Sequence, residues 1–206
     1  MDAIKTQSDL QSDNLANTTL LTGQLFSTYV EHPSDTVYTK PRIAEFMLDV
    51  AAYTADAALH RMRFVDPAAG PGAIVLAAID RLMPRWRIDP NATVSDLEPA
   101  ITAFEIDEVK LQLLRARIRD QLRSYGLAPS DVERLAGLWC VNADFLDLNL
   151  KCEATADVVV ANPPFRRYDD LSPPLRKRLS RDFSTFAGRC DLYVPFIQRA
   201  LALLTH

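Results

Sequence analysis

Short apolar segments alternate with helix-period segments along most of this chain, and that alternation restricts its fold more than any other feature. "RMRFVD" (61–66), "ITAFEID" (101–107), "WCVNADF" (139–145) and "DVVVANPPF" (157–165) each read as a strand. Helices fall between them: "AIVLAAIDRLM" (73–83), launched from the turn "PAAGPG", then 108–125 closed by Gly126, then a short helix with Ser130 and Glu133 as a capping box. A helix beginning near Thr39, "TKPRIAEFMLDVAA", precedes the first strand. Pro41 suits its first turn, and Ile43, Phe46, Met47, Val50 and Ala51 predict its buried face. Residues 84–100, with three prolines, read as a long connection; 166–182 read as a basic loop and helix; 191–204 read as a final helix that tolerates Pro195 near its start. Strands alternating with helices predict an α/β fold, an open and mostly parallel sheet with helices on both faces.

The bulk properties narrow the function. The 206 residues suit one sizeable domain, and a net charge of -4 argues against a generic polyanion-binding surface, so any nucleic-acid contact must be local. Cys140, Cys152 and Cys190 are an odd number at unrelated spacings, fitting neither a disulfide framework nor a metal knuckle; reduced thiols in or near the core are expected. His32, His60 and His206 are scattered and carry no assigned role. No apolar run approaches the roughly 20 residues of a membrane helix, and the polar N-terminus is unlike a signal peptide, so a cytoplasmic protein is expected. Residues 1–34 read as a polar, loosely helical extension, and 35–206 as the folded domain.

In an open parallel sheet, ligands sit beyond the carboxyl ends of the strands. Here those ends carry Asp66, Glu105 with Asp107, Asp144, and Asn162. Three acidic ends and one amide end suit a ligand rich in hydroxyl and amino donors, since carboxylates accept from ribose hydroxyls or exocyclic amines. The turn "DPAAGPG" lacks the Gly-Lys-Ser/Thr ending of a phosphate-binding loop. Glu105 closes the second strand, where a carboxylate holds an adenosine ribose in nucleotide-binding sheets; a merely solvated Glu105 is the alternative.

The fourth strand carries the chemistry. In "NPPF", Pro163 and Pro164 remove two backbone donors and hold the chain extended, leaving carbonyls free as acceptors. The Asn162 carbonyl and a backbone carbonyl together can receive both hydrogens of one amino group, while Phe165 offers a flat face on which a ring can stack. An exocyclic amine is a poor nucleophile because its lone pair is delocalised. Two aligned acceptors favour the pyramidal nitrogen of the transition state over the planar ground state. The bland alternative is a turn with a buried phenylalanine.

These residues resemble the N6-adenine DNA methyltransferases of the gamma-type arrangement found in restriction-modification systems. "YTKPRIAEFM" (38–47) looks like the family's leading motif, "DPAAGPG" (66–72) its S-adenosylmethionine loop, and "FEID" (104–107) its ribose-binding acid. "NADF" (142–145) looks like its adenine-contacting acid, "NPPF" (162–165) its catalytic motif, and "CDLYVPFIQRALALL" (190–204) the helix that follows. The resemblance implies a Rossmann-like S-adenosylmethionine-dependent methyltransferase fold. It implies that Asp66, Pro67, Ala68, Gly70 and Gly72 border the methionine part of the cofactor, with Thr39 and Pro41 at its carboxylate end. Glu105 would hold its ribose and Asp144 its adenine amino group, with Ile106, Phe145 and Asn162 also at the cofactor. Asn162 and Pro163 would bind the target amine of an adenine flipped out of duplex DNA, beside Pro164 and with Phe165 stacking on the base. Neither a metal nor a covalent intermediate is implied, and no cysteine stands beside the prolines as carbon-5 cytosine methylation would need.

Two departures from the family pattern are visible. Pro71 stands where a small residue such as serine is commoner, and after "ALALLTH" the family continues with a glycine turn, three strands and a target-recognition domain. The expectation is a cofactor half truncated after the fourth strand and following helix, either a fragment or a module completed by another chain. The six cations Arg166, Arg167, Arg176, Lys177, Arg178 and Arg181 are candidate phosphate contacts or a solvated helix face. Two rival functions use the same residues: methylation of an RNA base or a protein glutamine amide, and an inactive module that needs a partner chain.

Overall fold

A computed structural model describes residues 39–147 and 156–204. The expected extension at 1–34 and Cys152 lie outside the described residues. Strands β1 (Phe64–Asp66), β2 (Ile101–Glu105), β3 (Cys140–Asn142) and β4 (Val158–Val159) form one parallel sheet in the order β3-β2-β1-β4. Phe64 sits opposite Ile101 on one side and Val158 on the other, and Glu105 opposite Asn142. The chain therefore steps outward from β1 to β2 to β3 and then returns to the far side of β1. That reversal makes the gap between β1 and β4 the topological switch point, where a sheet of this kind opens a crevice at its carboxyl edge.

Helices α1 (Pro41–Val50), α2 (Ala73–Ile88), α3 (Val94–Leu97), α4 (Glu108–Ser124), α5 (Pro129–Trp139), α6 (Pro173–Asp182) and α7 (Tyr193–Leu203) complete the framework. Successive side chains of β2 point to opposite faces. Ile101 and Ala103 join Phe64 in a core with Leu48 of α1, Ile79 of α2, Leu114 of α4 and Trp139 of α5. Phe104 turns the other way, its ring 5.3 Å from Phe145, which stacks in turn on Phe196 of α7 at 5.6 Å. Helices thus cover both faces, as the alternating pattern requires. Each large side chain fully buried in these layers contributes about 1.5–3 kcal/mol. Among the described residues, no helix is long and apolar enough to cross a membrane.

Several local expectations are corrected. The first strand begins at Phe64, because Leu59–Arg61 form a 3-10 turn. Helix α2 does not stop at residue 83 but runs through Pro84 to Ile88. Pro84 lies on the exposed side, where water can satisfy the Asp80 carbonyl that a proline leaves without its helical donor. The connection that follows is shorter than expected and is ordered by Asp96, whose carboxylate accepts the Thr93 N–H at 2.6 Å, and by the Trp86 indole donating to the Thr93 carbonyl at 2.8 Å. Ser130 does not cap α5: Ala128 is the N-cap with no side-chain bond, Pro129 opens the first turn, and Glu133 instead accepts from Arg119 Nε at 2.6 Å. Trp139 ends α5 rather than starting β3, and its indole donates to the Leu97 carbonyl at 2.8 Å.

The buried face of α1 also differs. Ala44 and Leu48 are fully buried against α2, Met47 and Ala51 pack partly, and Ile43, Phe46 and Val50 are 52%, 63% and 72% exposed. Apolar residues almost encircle this helix, so periodicity could not choose between the two faces. β4 ends the sheet. Its far side is met by one parallel bridge, Ala156 to Leu204, with the Ala156 N–H donating to the Leu203 carbonyl at 2.7 Å.

Candidate cofactor and substrate site

Asp66 ends β1 at the switch point and is fully buried. Its Oδ1 accepts the Ala68 N–H at 3.1 Å, while Oδ2 is buried without a hydrogen-bond partner. Burial pushes this carboxyl up to about 7, opposed by the Ala68 N–H and reinforced by the negative charge of Glu105. An unsatisfied carboxylate oxygen at the mouth of a crevice is costly, and a donor such as an ammonium would relieve it.

The turn after β1 is pinned by β2, through one carbonyl and one side chain. The Ala69 N–H donates to the Phe104 carbonyl, and the Gly70 N–H to Glu105 Oε2, each at 2.9 Å. Two glycines are required here for different reasons. Gly70 adopts φ +53° with nothing within 4 Å of where a Cβ would stand, so it presents bare backbone to open space. Gly72, at φ +95°, would place a Cβ 2.3 Å from Leu114 Cδ1, so it lets α2 start tightly against α4. Pro71 supplies no amide donor, and its carbonyl accepts from Arg117 at 2.9 Å.

Glu105 is 8% exposed, so the solvated alternative does not hold. Its Oε1 accepts the Asp107 N–H at 2.8 Å, and its Oε2 the Gly70 N–H. Asp107 serves the fold, accepting from the Val109 and Lys110 N–H groups to cap α4. Ile106 follows Glu105 on the same turn, and its carbonyl accepts from Asn142 at 3.3 Å. Asp144 is also buried. Its Oδ1 accepts the Leu146 N–H at 2.9 Å, and its Oδ2 pairs with Arg178 of α6 at 2.7 Å. Phe145 beside it lies between the Phe104 and Phe196 rings, with the Arg199 guanidinium 5.3 Å from its centroid.

Beyond β4 the Val160 N–H still donates to the Val65 carbonyl at 3.0 Å, which carries the extended chain into Asn162, Pro163, Pro164 and Phe165. The Asn162 Nδ2 donates to Thr39 Oγ1 at 3.2 Å. Phe165 is 60% exposed, so it is not the buried phenylalanine of a plain turn; its ring lies 5.9 Å from Tyr193. The loop is held from α7's side, where the Leu192 N–H donates to the Arg166 carbonyl at 2.9 Å.

The fold therefore brings Asp66, Pro67, Ala68, Gly70, Gly72, Glu105 and Ile106 to one turn system, and Thr39 to Asn162. Pro41 opens α1 next to Thr39. Four of the six cations are engaged within the chain: Arg178 with Asp144, Arg181 with Asp182, Arg176 over the Tyr168 ring at 4.8 Å, and Arg166 with the Asp170 carbonyl. Arg167 and Lys177 of that stretch have exposed side chains. The sequence reading missed Tyr193, Phe196 and Arg199. A lone arginine inside the apolar "PFIQRALALL" was the available signal, and Arg199 is indeed buried.

A parallel sheet with this strand order and helices on both faces is the Rossmann-like fold of S-adenosylmethionine-dependent methyltransferases. The sequence profile described as Eco57I restriction-modification methylase matches residues 75–206, and the chain belongs to that family. It is 36% identical over 177 residues to the Type II methyltransferase M.BstVI of Geobacillus stearothermophilus, spanning 82% of this chain and 31% of that one. It is 36% identical over 171 residues to the Type II methyltransferase M.PaeR7I of Pseudomonas aeruginosa, spanning 82% of this chain and 29% of that one. The chain thus spans less than a third of the length of these relatives. Two solved structures share the fold. The type IIG restriction endonuclease BpuSI matches with a TM-score of 0.52 at 19% identity, covering 83% of this chain and 19% of that one. A putative class I S-adenosylmethionine-dependent methyltransferase from Listeria monocytogenes matches with a TM-score of 0.51 at 15% identity, covering 92% of this chain and 49% of that one.

Proposed function

We propose that this chain is the cofactor-binding and catalytic part of a DNA adenine-N6 methyltransferase in a restriction-modification system. The observation that carries the reading is the placement of Asn162-Pro163-Pro164-Phe165 at the end of β4, across the switch point from the buried Asp66. Family membership supports it, and the acceptors fit S-adenosylmethionine: the unpartnered Asp66 oxygen suits an ammonium and Glu105 a ribose. When bound, that cofactor supplies a methyl group on a positively charged sulfur, which leaves as a neutral thioether. The chain's own part is to hold the acceptor. Asn162 Oδ1 and the Pro163 carbonyl accept the two hydrogens of the target amine, draw its lone pair out of conjugation and stabilise the positive charge that builds on nitrogen. Phe165, already exposed, gains a stacking partner when a base flips out, which offsets part of the cost of unstacking it.

The chain spans less than a third of its relatives' length, and we infer that sequence reading belongs to a part beyond it, in the same polypeptide or on a second chain. The test is transfer of tritiated methyl from S-adenosylmethionine to duplex DNA, to structured RNA and to a glutamine-bearing protein, with and without the downstream region. Label in DNA that is lost when adenine is replaced by N6-methyladenine supports the reading. Label only in RNA or protein would replace it with one of the rival substrates, and label lost without the downstream region identifies a module that must be completed.

A further inference from the structure

Three consecutive residues at the start of α7 meet the loop beyond β4 one after another, in reverse order. Asp191 Oδ1 accepts the Tyr168 N–H at 3.1 Å, the Leu192 N–H donates to the Arg166 carbonyl at 2.9 Å, and the Tyr193 ring lies 5.9 Å from the Phe165 ring. The first two contacts fix the backbone where the loop leaves Phe165. Pro163 and Pro164 stiffen it where the loop arrives, because each ring sets its own φ. With the backbone held on both sides, the freedom left to Phe165 is the rotation of its side chain.

That freedom bears on the proposed stacking. A ring that is 60% exposed and unrestrained samples several rotamers, and an arriving base would have to order it. Tyr193 removes part of that cost in advance. Its ring meets Phe165 at an interplanar angle of 46°, a tilted contact within the roughly 4.5–7 Å over which aromatic pairs attract. The contact favours one placement of the Phe165 ring and leaves most of that ring to solvent, so it restrains the platform without covering it. Tyr193 does not share the loop's freedom. It opens α7 directly after the fully buried Leu192, and one turn on Phe196 is buried with its ring stacked on Phe145 at 5.6 Å. We propose that Tyr193 is a positioning residue that pre-orders the Phe165 ring as a stacking platform, with Asp191 and Leu192 holding the loop in line for that contact. The consequence for a substrate base rests on the methyltransferase reading; the restraint on Phe165 is measured without any substrate.

The first measurement is ring NMR on the full chain carrying isotope-labelled phenylalanine, with the Phe165 signals identified by their loss in Phe165→Ala. In Tyr193→Ala, and in Tyr193→Leu, which keeps bulk and loses the ring, the Phe165 signals are expected to shift and to relax as those of a more mobile side chain. Tyr193→Phe keeps the wild-type signals. The Phe104 and Phe145 signals stay in place in all three variants, which separates the effect from undocking of α7. Phe165 signals that keep their wild-type mobility in the alanine and leucine variants would overturn the proposal. The second measurement is the fluorescence rise of 2-aminopurine at the target position of duplex DNA bound by the intact enzyme. Tyr193→Ala is expected to cut the rise about threefold, Tyr193→Phe to restore it, and Tyr193→Ala to add nothing in a chain already carrying Phe165→Ala. Losses that multiply in the double variant would overturn the proposal in favour of a direct contact between Tyr193 and the base. Binding of S-adenosylhomocysteine to the wild-type chain is measured alongside: its absence counts against the methyltransferase reading, while the ring NMR still decides whether Tyr193 restrains Phe165.

Discussion

Replacing Asp66 by asparagine should stabilise the protein, and do so more strongly as pH rises. The carboxyl is fully buried with one oxygen unpartnered, and its folded value is pushed up to about 7 from 3.8. A carboxyl raised in the folded state binds its proton more tightly there than in the unfolded chain. Stability is therefore unaffected below the unfolded value, falls as pH climbs from 3.8 toward 7, and levels off above 7. At about 1.4 kcal/mol per pH unit, the full penalty is about 4 kcal/mol, with roughly 3 kcal/mol of it appearing between pH 5 and pH 8. Asparagine cannot ionise and removes this slope. Urea denaturation of both proteins at pH 5 and pH 8 should show the variant's advantage growing by roughly 3 kcal/mol, a relative midpoint shift of about 1 M at the slopes usual for this size. An advantage that stays constant across that window would refute a buried, destabilised carboxylate. The same substitution should weaken S-adenosylhomocysteine binding at pH 8, because an ammonium stabilises the ionised form that the empty fold penalises.

Three further outcomes follow from the site. Arg178→Met strips the buried Asp144 of its ion pair and should cost about 1–3 kcal/mol, while adding Asp144→Asn should recover part of the loss; a double-mutant cycle by urea denaturation reads the coupling. Gly72→Ala meets both a left-handed φ of +95° and the Leu114 methyl, and should cost about 1–3 kcal/mol by the same method. Phe165→Ala should leave stability within about 0.5 kcal/mol, since the ring is 60% exposed, yet reduce the fluorescence rise of 2-aminopurine at the target position of duplex DNA bound by the intact enzyme.

Legibility followed the range of the forces involved. The alternation of strands and helices could be read because short apolar segments are bounded by strong punctuation; Asp66 and Glu105 close β1 and β2, while Asp144 and Asn162 follow the last residues of β3 and β4 by two and three positions. Glu105 and Asp144 were legible as acids but not in their partners: that Gly70 would donate to one and Arg178 pair with the other depends on packing across 35 and 34 residues of sequence. Helix α1 shows the opposite limit. Its apolar residues ring the helix, so only the position of α2 selects Ala44 and Leu48 for the core and leaves Phe46 outside. Pro84 failed as a helix breaker for a physical reason too, since on a solvated face the one bond it removes is replaced by water.

The Asn-Pro-Pro-Phe loop and the Asp66 carboxylate owe their relation to the strand order. Had β4 added beyond β3, both β3 and β2 would lie between Asn162 and Asp66, and no single ligand could meet both. Because β4 returns to the open side of β1, the Val160 N–H bonds to the Val65 carbonyl one residue before Asp66, so the loop carrying the acceptors leaves the sheet alongside the carboxylate. In the proposed site the unpartnered Asp66 oxygen is costly to the fold, and a ligand's donor, not the chain, would satisfy it. A sequence selected for stability alone would place a neutral residue at position 66, so Asp66→Asn measures the stability that the proposed site gives up.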